Sequence, residues 1–152
     1  CRLLLEKKKN YVDRKESAPV GLYSSTVADQ YYPYVYPQET GNKEDVRWLA
    51  LTNDSKKGVL IVAQNPISVT ALNFTPHQLT KAGHTNKLTP NENTTLCLDY
   101  KNRGLGNGSC GPDTLKKYEV YPTPCSYAFS IRPLENLDNA PKNARKSLPD
   151  NN

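Results

Sequence analysis

The chain has 152 residues, 36% of them hydrophobic, and its 20 Lys and Arg against 15 Asp and Glu leave a formal charge of +5. That length suits one domain with a thin core, and no apolar run approaches the ~20 residues that a membrane-spanning helix needs. The basic residues are interleaved with acids, as in Lys43-Glu44-Asp45-Val46-Arg47, and the only dense run is Lys7-Lys8-Lys9, so neither a nucleic-acid partner, which favours a clustered basic face, nor a membrane is expected.

The chain opens on Arg2-Leu3-Leu4-Leu5, too short for the apolar core of a signal peptide, and contains no Met. It therefore reads as a fragment or a processed product. Residues 20–27 are rich in β-branched and aromatic types and predict a strand. Residues 32–36 alternate with period two between Pro33 and Pro37. The prolines remove ladder donors, so this strand is an edge strand or ends in a bend. Tyr32, Tyr34 and Tyr36 would share one face, where aromatic rings stack on sugars or, more commonly, pack and hydrogen-bond through their hydroxyls. Residues 46–51 and 58–63, joined by Asn53-Asp54-Ser55, read as a hairpin. Residues 67–74 and 95–100 alternate cleanly. Thr75 and Pro76 predict the start of a short helix that ends at Gly83.

Residues 103–112 hold four glycines between two strands, giving a loop that wraps tightly or presents its backbone. Residues 125–131 predict the last strand. From Pro133 the composition turns to Asn, Asp, Pro and Lys, which gives too little apolar surface to hold a tail in place. Together these signals predict an all-β antiparallel sandwich with one short helix. Its core would include Trp48, Leu49, Leu60, Val62, Val69, Leu72, Leu96, Leu98, Phe129 and Ile131. The run Leu60-Ile61-Val62 does not alternate, which predicts cover on both faces.

Cys1, Cys97, Cys110 and Cys125 contain no C-x-x-C, and His77 and His84 stand seven apart. That spacing does not suit a zinc site. Four cysteines allow three disulfide pairings, and free thiols are the simpler reading. Candidate acid pairs for glycoside hydrolysis are Glu39 with Glu44 or Asp45, and Asp99 with Asp113. Each falls in a turn or at a strand edge, where solvated carboxylates are ordinary. No nucleophile elbow supports a Ser/His/Asp triad. The glycine run lacks the following helix of a dinucleotide fold.

Several motifs in fixed order carry a family resemblance. They are Asn10-Tyr11-Val12-Asp13-Arg14-Lys15, then Pro33-Tyr34-Val35-Tyr36-Pro37-Gln38-Glu39-Thr40-Gly41-Asn42 and Val46-Arg47-Trp48-Leu49. His84 with Leu88, Gly104-Leu105-Gly106, and Tyr127-Ala128-Phe129-Ser130-Ile131-Arg132-Pro133 complete them. From about residue 10 to residue 133 the chain resembles the C-terminal domain, or small chain, of bacterial β-galactosidases of glycoside hydrolase family 2. The resemblance implies the second half of a supersandwich similar to galactose mutarotase. It divides the chain into a divergent segment 1–9, a β-sandwich domain 10–133 and a loose polar tail 134–152. In the family a loop ending Gly-Asp-Asp-Ser-Trp lines the sugar site. Here the matching loop is one residue shorter and places Cys110 where the tryptophan stands, which removes an aromatic platform.

The resemblance implies a domain that supports the active site of a β-galactosidase, while the catalytic glutamates lie in a separate barrel domain. No catalytic residue is assigned here; Asn107, Ser109 and Cys110 are the candidate substrate-site-supporting residues. No cofactor or metal is expected in this chain, the family's Mg belonging to the barrel. The implied partners are the parent enzyme's other domains and, in the intact enzyme, a galactoside sugar. Self-association through the surface that would meet the missing half is also expected. A stand-alone carbohydrate-binding or protein-interaction module is the alternative.

Overall fold

The computed structural model of the protein describes residues 1–7, 19–104 and 111–146. The motif at 10–15, the glycine loop 105–110 and residues 147–152 lie outside them. Within the described residues the strands are β1 (Arg2–Lys7), β2 (Gly21–Thr26), β3 (Lys43–Thr52), β4 (Gly58–Leu72), β5 (Thr95–Asp99) and β6 (Phe129–Leu134). Two short helices, α1 (Pro76–Ala82) and α2 (Ala140–Ala144), accompany them. All strand pairs are antiparallel, in the order β2-β1-β3-β4-β5, with β6 also on β4. The protein is all-β, as the alternating segments predict.

β4 runs for 15 residues. One edge carries β3; the other carries β6 over residues 58–63 and then β5 over residues 68–72. The sequence reads this stretch as two strands because Pro66 interrupts it. Proline has no N–H for the ladder, and Pro66 falls where β6 hands over to β5. On the β3 edge, Trp48 pairs with Val62 and Val46 with Ile67. Four residues of β4 therefore stand against Arg47 alone. Such a bulge redirects side chains: Val46 joins one apolar cluster and Trp48 another, although two residues apart in a regular strand they would share a face. A second shift sets Glu44 and Asp45 against Ser68. Asp45 adopts φ 53° there, a left-handed conformation that Asp tolerates better than most residues.

One face of the sheet is apolar throughout. Its cluster joins Leu3 and Leu5 of β1, Leu49 and Leu51 of β3, and Ile61, Ile67, Val69 and Ala71 of β4, with Leu96 and Leu98 of β5 against it. Residues from opposite ends of the sheet thus share one core, a sandwich-like packing. The other face carries Trp48, Ala50 and Leu60 under Leu134 and Ala140. Leu60 and Ile61 are both buried, one in each cluster, so the central strand is covered on both sides as its unbroken apolar run predicts. Glu6 accepts hydrogen bonds from Trp48 Nε1 and from an Arg47 guanidinium nitrogen, each at 3.0 Å, tying β1 to β3.

The first turn of α1 carries a capping box, with Gln78 N–H donating to the Thr75 hydroxyl and Thr75 N–H to Gln78 Oε1. Gly83 closes the helix at φ 67°. Gly41, at φ 76°, is required more strictly, because a Cβ there would lie 2.4 Å from the Gln30 carbonyl oxygen.

Several expectations change. Residues 32–36 form a bend rather than a strand, with Tyr32, Tyr34 and Tyr36 exposed; its two prolines leave no ladder to join. The last strand starts at Phe129 rather than Cys125. Phe129 and Ile131 are 38% and 63% exposed among the described residues, so neither is core, although they stand opposite Ala63 and Ile61. Val62, Leu96 and Leu98 are only half-buried. Residues 2–7, set apart in the sequence as divergent, form a strand between β2 and β3 with Leu3 and Leu5 buried. The segment after Pro133 contributes buried Leu134 and the helix α2, whose Ala140 is fully buried. Among the described residues there are thus two α-helices rather than one.

These contacts rank two substitutions. Trp48→Ala removes a buried indole and its bond to Glu6, and should cost ~3–5 kcal/mol in urea unfolding. Ile131→Ala should cost under ~1 kcal/mol. Equal losses would contradict this division of core from surface.

Candidate functional site

Beyond the bulges, the face that carries Trp48 turns from apolar to polar. Asn42, Glu44, Ser68 and Thr70 are all buried there. They alternate with Val69 and Ala71, which point into the apolar core, so the period of β4 alone delivers a polar surface. Burying a carboxylate is costly unless hydrogen bonds replace its water. Glu44 receives Asn42 Nδ2 on one oxygen at 2.8 Å and the Ser68 hydroxyl on the other at 2.7 Å. Asn42 Oδ1 accepts from the Thr70 hydroxyl at 3.3 Å and from Asn102 Nδ2 at 3.0 Å.

Glu44 and Asn102 of this network line an open cleft of about 440 Å³, whose walls include Asn65, Tyr100, Lys101, Tyr118 and Tyr127. The glycine loop departs and returns beside it. Gly104 N–H donates to the Tyr118 carbonyl at 3.0 Å, and the Thr114 hydroxyl donates to the Gly104 carbonyl at 2.8 Å. Arg103 bonds Asp113 at 2.6 Å. The departing end is therefore bonded to Tyr118, which lines the cleft, and the returning end to Gly104. Asn107, Ser109 and Cys110 themselves lie outside the described residues.

The acids do not pair as their sequence positions propose. Glu39 lies within reach of the Asp99 charge. Partial burial and the Asp99 charge hold the Glu39 carboxyl above its ordinary range, against a hydrogen bond with Thr70. Burial, then the Asp99 and Glu39 charges, push the Cys97 thiol up as well, which favours the thiol over the reactive thiolate. Asp113 is held below its usual range by the hydrogen bond from Arg103 and by Thr114 N–H. Glu44 has both oxygens engaged. These carboxylates hold structure. His77 and His84 are exposed at and beyond α1. Cys1, Cys97 and Cys125 are free thiols. Among the described residues no three His, Cys, Asp or Glu side chains gather as metal ligands.

The sequence reading missed the cleft. Its tyrosines come from residue 100, just past a strand, and from the irregular stretch 113–128, where no periodicity announces a surface. The one available signal was the density of aromatic residues there: Tyr118, Tyr121 and Tyr127 within ten residues.

Residues 7–132 match the family model described as β-galactosidase small chain. The β-galactosidase of Priestia megaterium is 38% identical over 128 residues, covering 82% of this chain and 12% of that protein. That of Actinobacillus pleuropneumoniae is 30% identical over 122 residues, 80% of this chain and 12% of that protein. The β-galactosidase BgaC of Bifidobacterium adolescentis is 32% identical over 124 residues, again 80% and 12%. The chain spans about 12% of the length of these curated relatives.

The raised Glu39 sets a pH dependence. A carboxyl raised in the fold contributes stability that is complete below its unfolded value and is lost as pH rises through the folded one. Glu39→Gln should therefore raise the urea midpoint at pH 7, and the gain should vanish near pH 4. The same gain at both pH values would mean that the Glu39 charge is not its source.

Proposed function

The chain belongs to the β-galactosidase small-chain family, and on that footing we propose that it forms a non-catalytic wall of a galactoside site. The reaction served is hydrolysis of terminal β-D-galactosides. In this reading the chain is the second half of a family 2 supersandwich domain. The acid and nucleophile, and any Mg, belong to a barrel domain elsewhere in the parent enzyme.

The observation that carries the proposal is the clamping of the glycine loop at the rim of the polar cleft. A loop with both ends bonded to buried or half-buried residues can present a short span of backbone in a reproducible place. Asn107 and Ser109 are the polar contacts in this proposal, and Cys110 is a small filler where relatives of the family stack an aromatic ring. A retaining glycosidase needs two carboxyls about 5–5.5 Å apart, one of them a proton donor. Glu44 and Asp113 are committed to neutral and cationic partners, which supports a role without chemistry.

The test is kinetic. The isolated chain should show no turnover of a chromogenic β-galactoside. In a full-length β-galactosidase carrying this segment, Cys110→Ala should change kcat/KM little, because no stacking is lost. Gly106→Val should lower it more, because a β-branched side chain restricts the backbone where glycine does not. A loss of ~100-fold for Cys110→Ala, about 2.7 kcal/mol of transition-state stabilisation, would make Cys110 a direct participant and contradict the proposal.

A further inference from the structure

Away from the cleft, the C-terminal segment covers the apolar part of the face that carries Trp48. After β6 the chain bends at Glu135, makes one 3-10 turn over Leu137–Asn139 and enters α2. Leu137, Ala140 and Ala144, spaced three and four apart, form one apolar stripe against Trp48, Ala50 and Leu60. Ala140 is the only fully buried residue of 135–146. α2 has five residues, too few for a helix to persist without a surface beneath it. Residues 135–146 also lie beyond residue 132, where the match to the family model ends.

The rim of this contact is charged, with opposite signs on its two sides. Lys56 Nζ meets the Asp138 carboxylate at 3.0 Å and Lys57 Nζ the Glu135 carboxylate at 3.2 Å, all four side chains exposed. Such pairs hold weakly and are screened by salt. Leu137 N–H donates to the Lys56 carbonyl at 3.0 Å. One guanidinium nitrogen of Arg132, on β6, donates to the carbonyls of Asn143 and Lys146 at 3.3 and 3.4 Å. Its Nη2 is buried and has no partner among the described residues, so the contact is incomplete even when closed. The segment is a strap that matches the surface beneath it in apolar stripe and in charge. It is hinged at two exposed residues, Glu135 and Asn136.

We propose that this strap is exchangeable, and that the surface over Trp48 is a docking site for the same segment of a second copy of the chain. Straightening the bend at Glu135 carries residues 137–146 away from their own sheet. The strap of a second copy brings the same apolar stripe and the same two acids to Lys56 and Lys57. Each strap then caps the other copy's sheet, which closes the pair as a two-fold dimer. Recognition is that of a short helical segment laid by its apolar side on an apolar surface. The tether favours the strap's own sheet through its high effective concentration, so exchange grows with protein concentration.

Two variants of the full 152-residue chain test this by charge. Glu135→Lys with Asp138→Lys reverses the strap, and Lys56→Glu with Lys57→Glu reverses the rim. All four side chains are exposed, so the sheet is left intact. Each variant alone opposes like charges, whether its strap stays or exchanges. Mixed in equal amounts, each strap finds a matching rim only on the other copy. At the same total concentration the mixture should hold ~10-fold or more dimer than either variant alone, read by light scattering. Emission from Trp48, the sole tryptophan, should move to shorter wavelength on mixing. Salt at about 0.5 M should remove most of the gain. Adding Ala140→Glu to both variants puts a charge at a fully buried contact and should abolish the dimer. A mixture no more dimeric than its components overturns the inference. So does a dimer that survives Ala140→Glu, which would place the interface elsewhere.

Discussion

The register shift between β3 and β4 is the constraint on which the rest depends. With Trp48 opposite Val62 and Val46 opposite Ile67, β3 changes phase across Arg47 while β4 keeps its own. The same two strands can then bury Trp48 on one face and Val46 on the other. Beyond the shift, Glu44 meets Ser68 instead of an apolar partner. Without the second shift, at Glu44 and Asp45, the alternation of β3 would place Glu44 on the same face as Val46, against an apolar core. A carboxylate cannot be buried there without bonds.

β4 turns that local irregularity into an architecture. Its first half is shared by β3 and β6, its second by β3 and β5, and Pro66 sits where one neighbour gives way to the other. Pairing on both edges makes it a rigid spine. The apolar face holds the molecule together, and the opposite face is divided between an apolar patch under α2 and the polar floor of the cleft. The glycine loop is clamped at the edge of that floor through Gly104, Thr114 and Tyr118. Stability and the proposed function thus use different halves of one surface.

Strands β2, β3 and β5 were legible in the sequence from their β-branched and alternating residues, as was most of β6. The hairpin of β3 and β4 and the capped helix α1 follow directly from Asn53-Asp54-Ser55 and from Thr75-Pro76 with Gly83. What was not legible depends on tertiary partners. Arg2-Leu3-Leu4-Leu5 alternates in burial, yet four similar residues offer no pattern to read. Phe129 and Ile131 alternate like core residues and stand opposite Ala63 and Ile61 on the side of the apolar core, yet stay exposed, because period two marks a face without saying how far its cover extends. The polar floor was hidden for a related reason: Asn42, Glu44, Ser68 and Thr70 look like surface residues until the bulge gathers them. The loop was visible through its glycines, and the cleft beside it was not, since Tyr100 stands 18 residues from Tyr118 and 27 from Tyr127.

The central claim is that this segment shapes a galactoside site without supplying its chemistry. A crystal structure of a full-length β-galactosidase carrying the segment, with an uncleaved galacto-oligosaccharide bound, tests it most directly. The account predicts the galactosyl ring against the loop between Gly104 and Gly111, and carboxylates from another domain at the glycosidic oxygen. A sugar remote from the loop would contradict it. So would Glu39, Glu44, Asp99 or Asp113 within about 3 Å of the scissile oxygen, the reach of a catalytic proton donor.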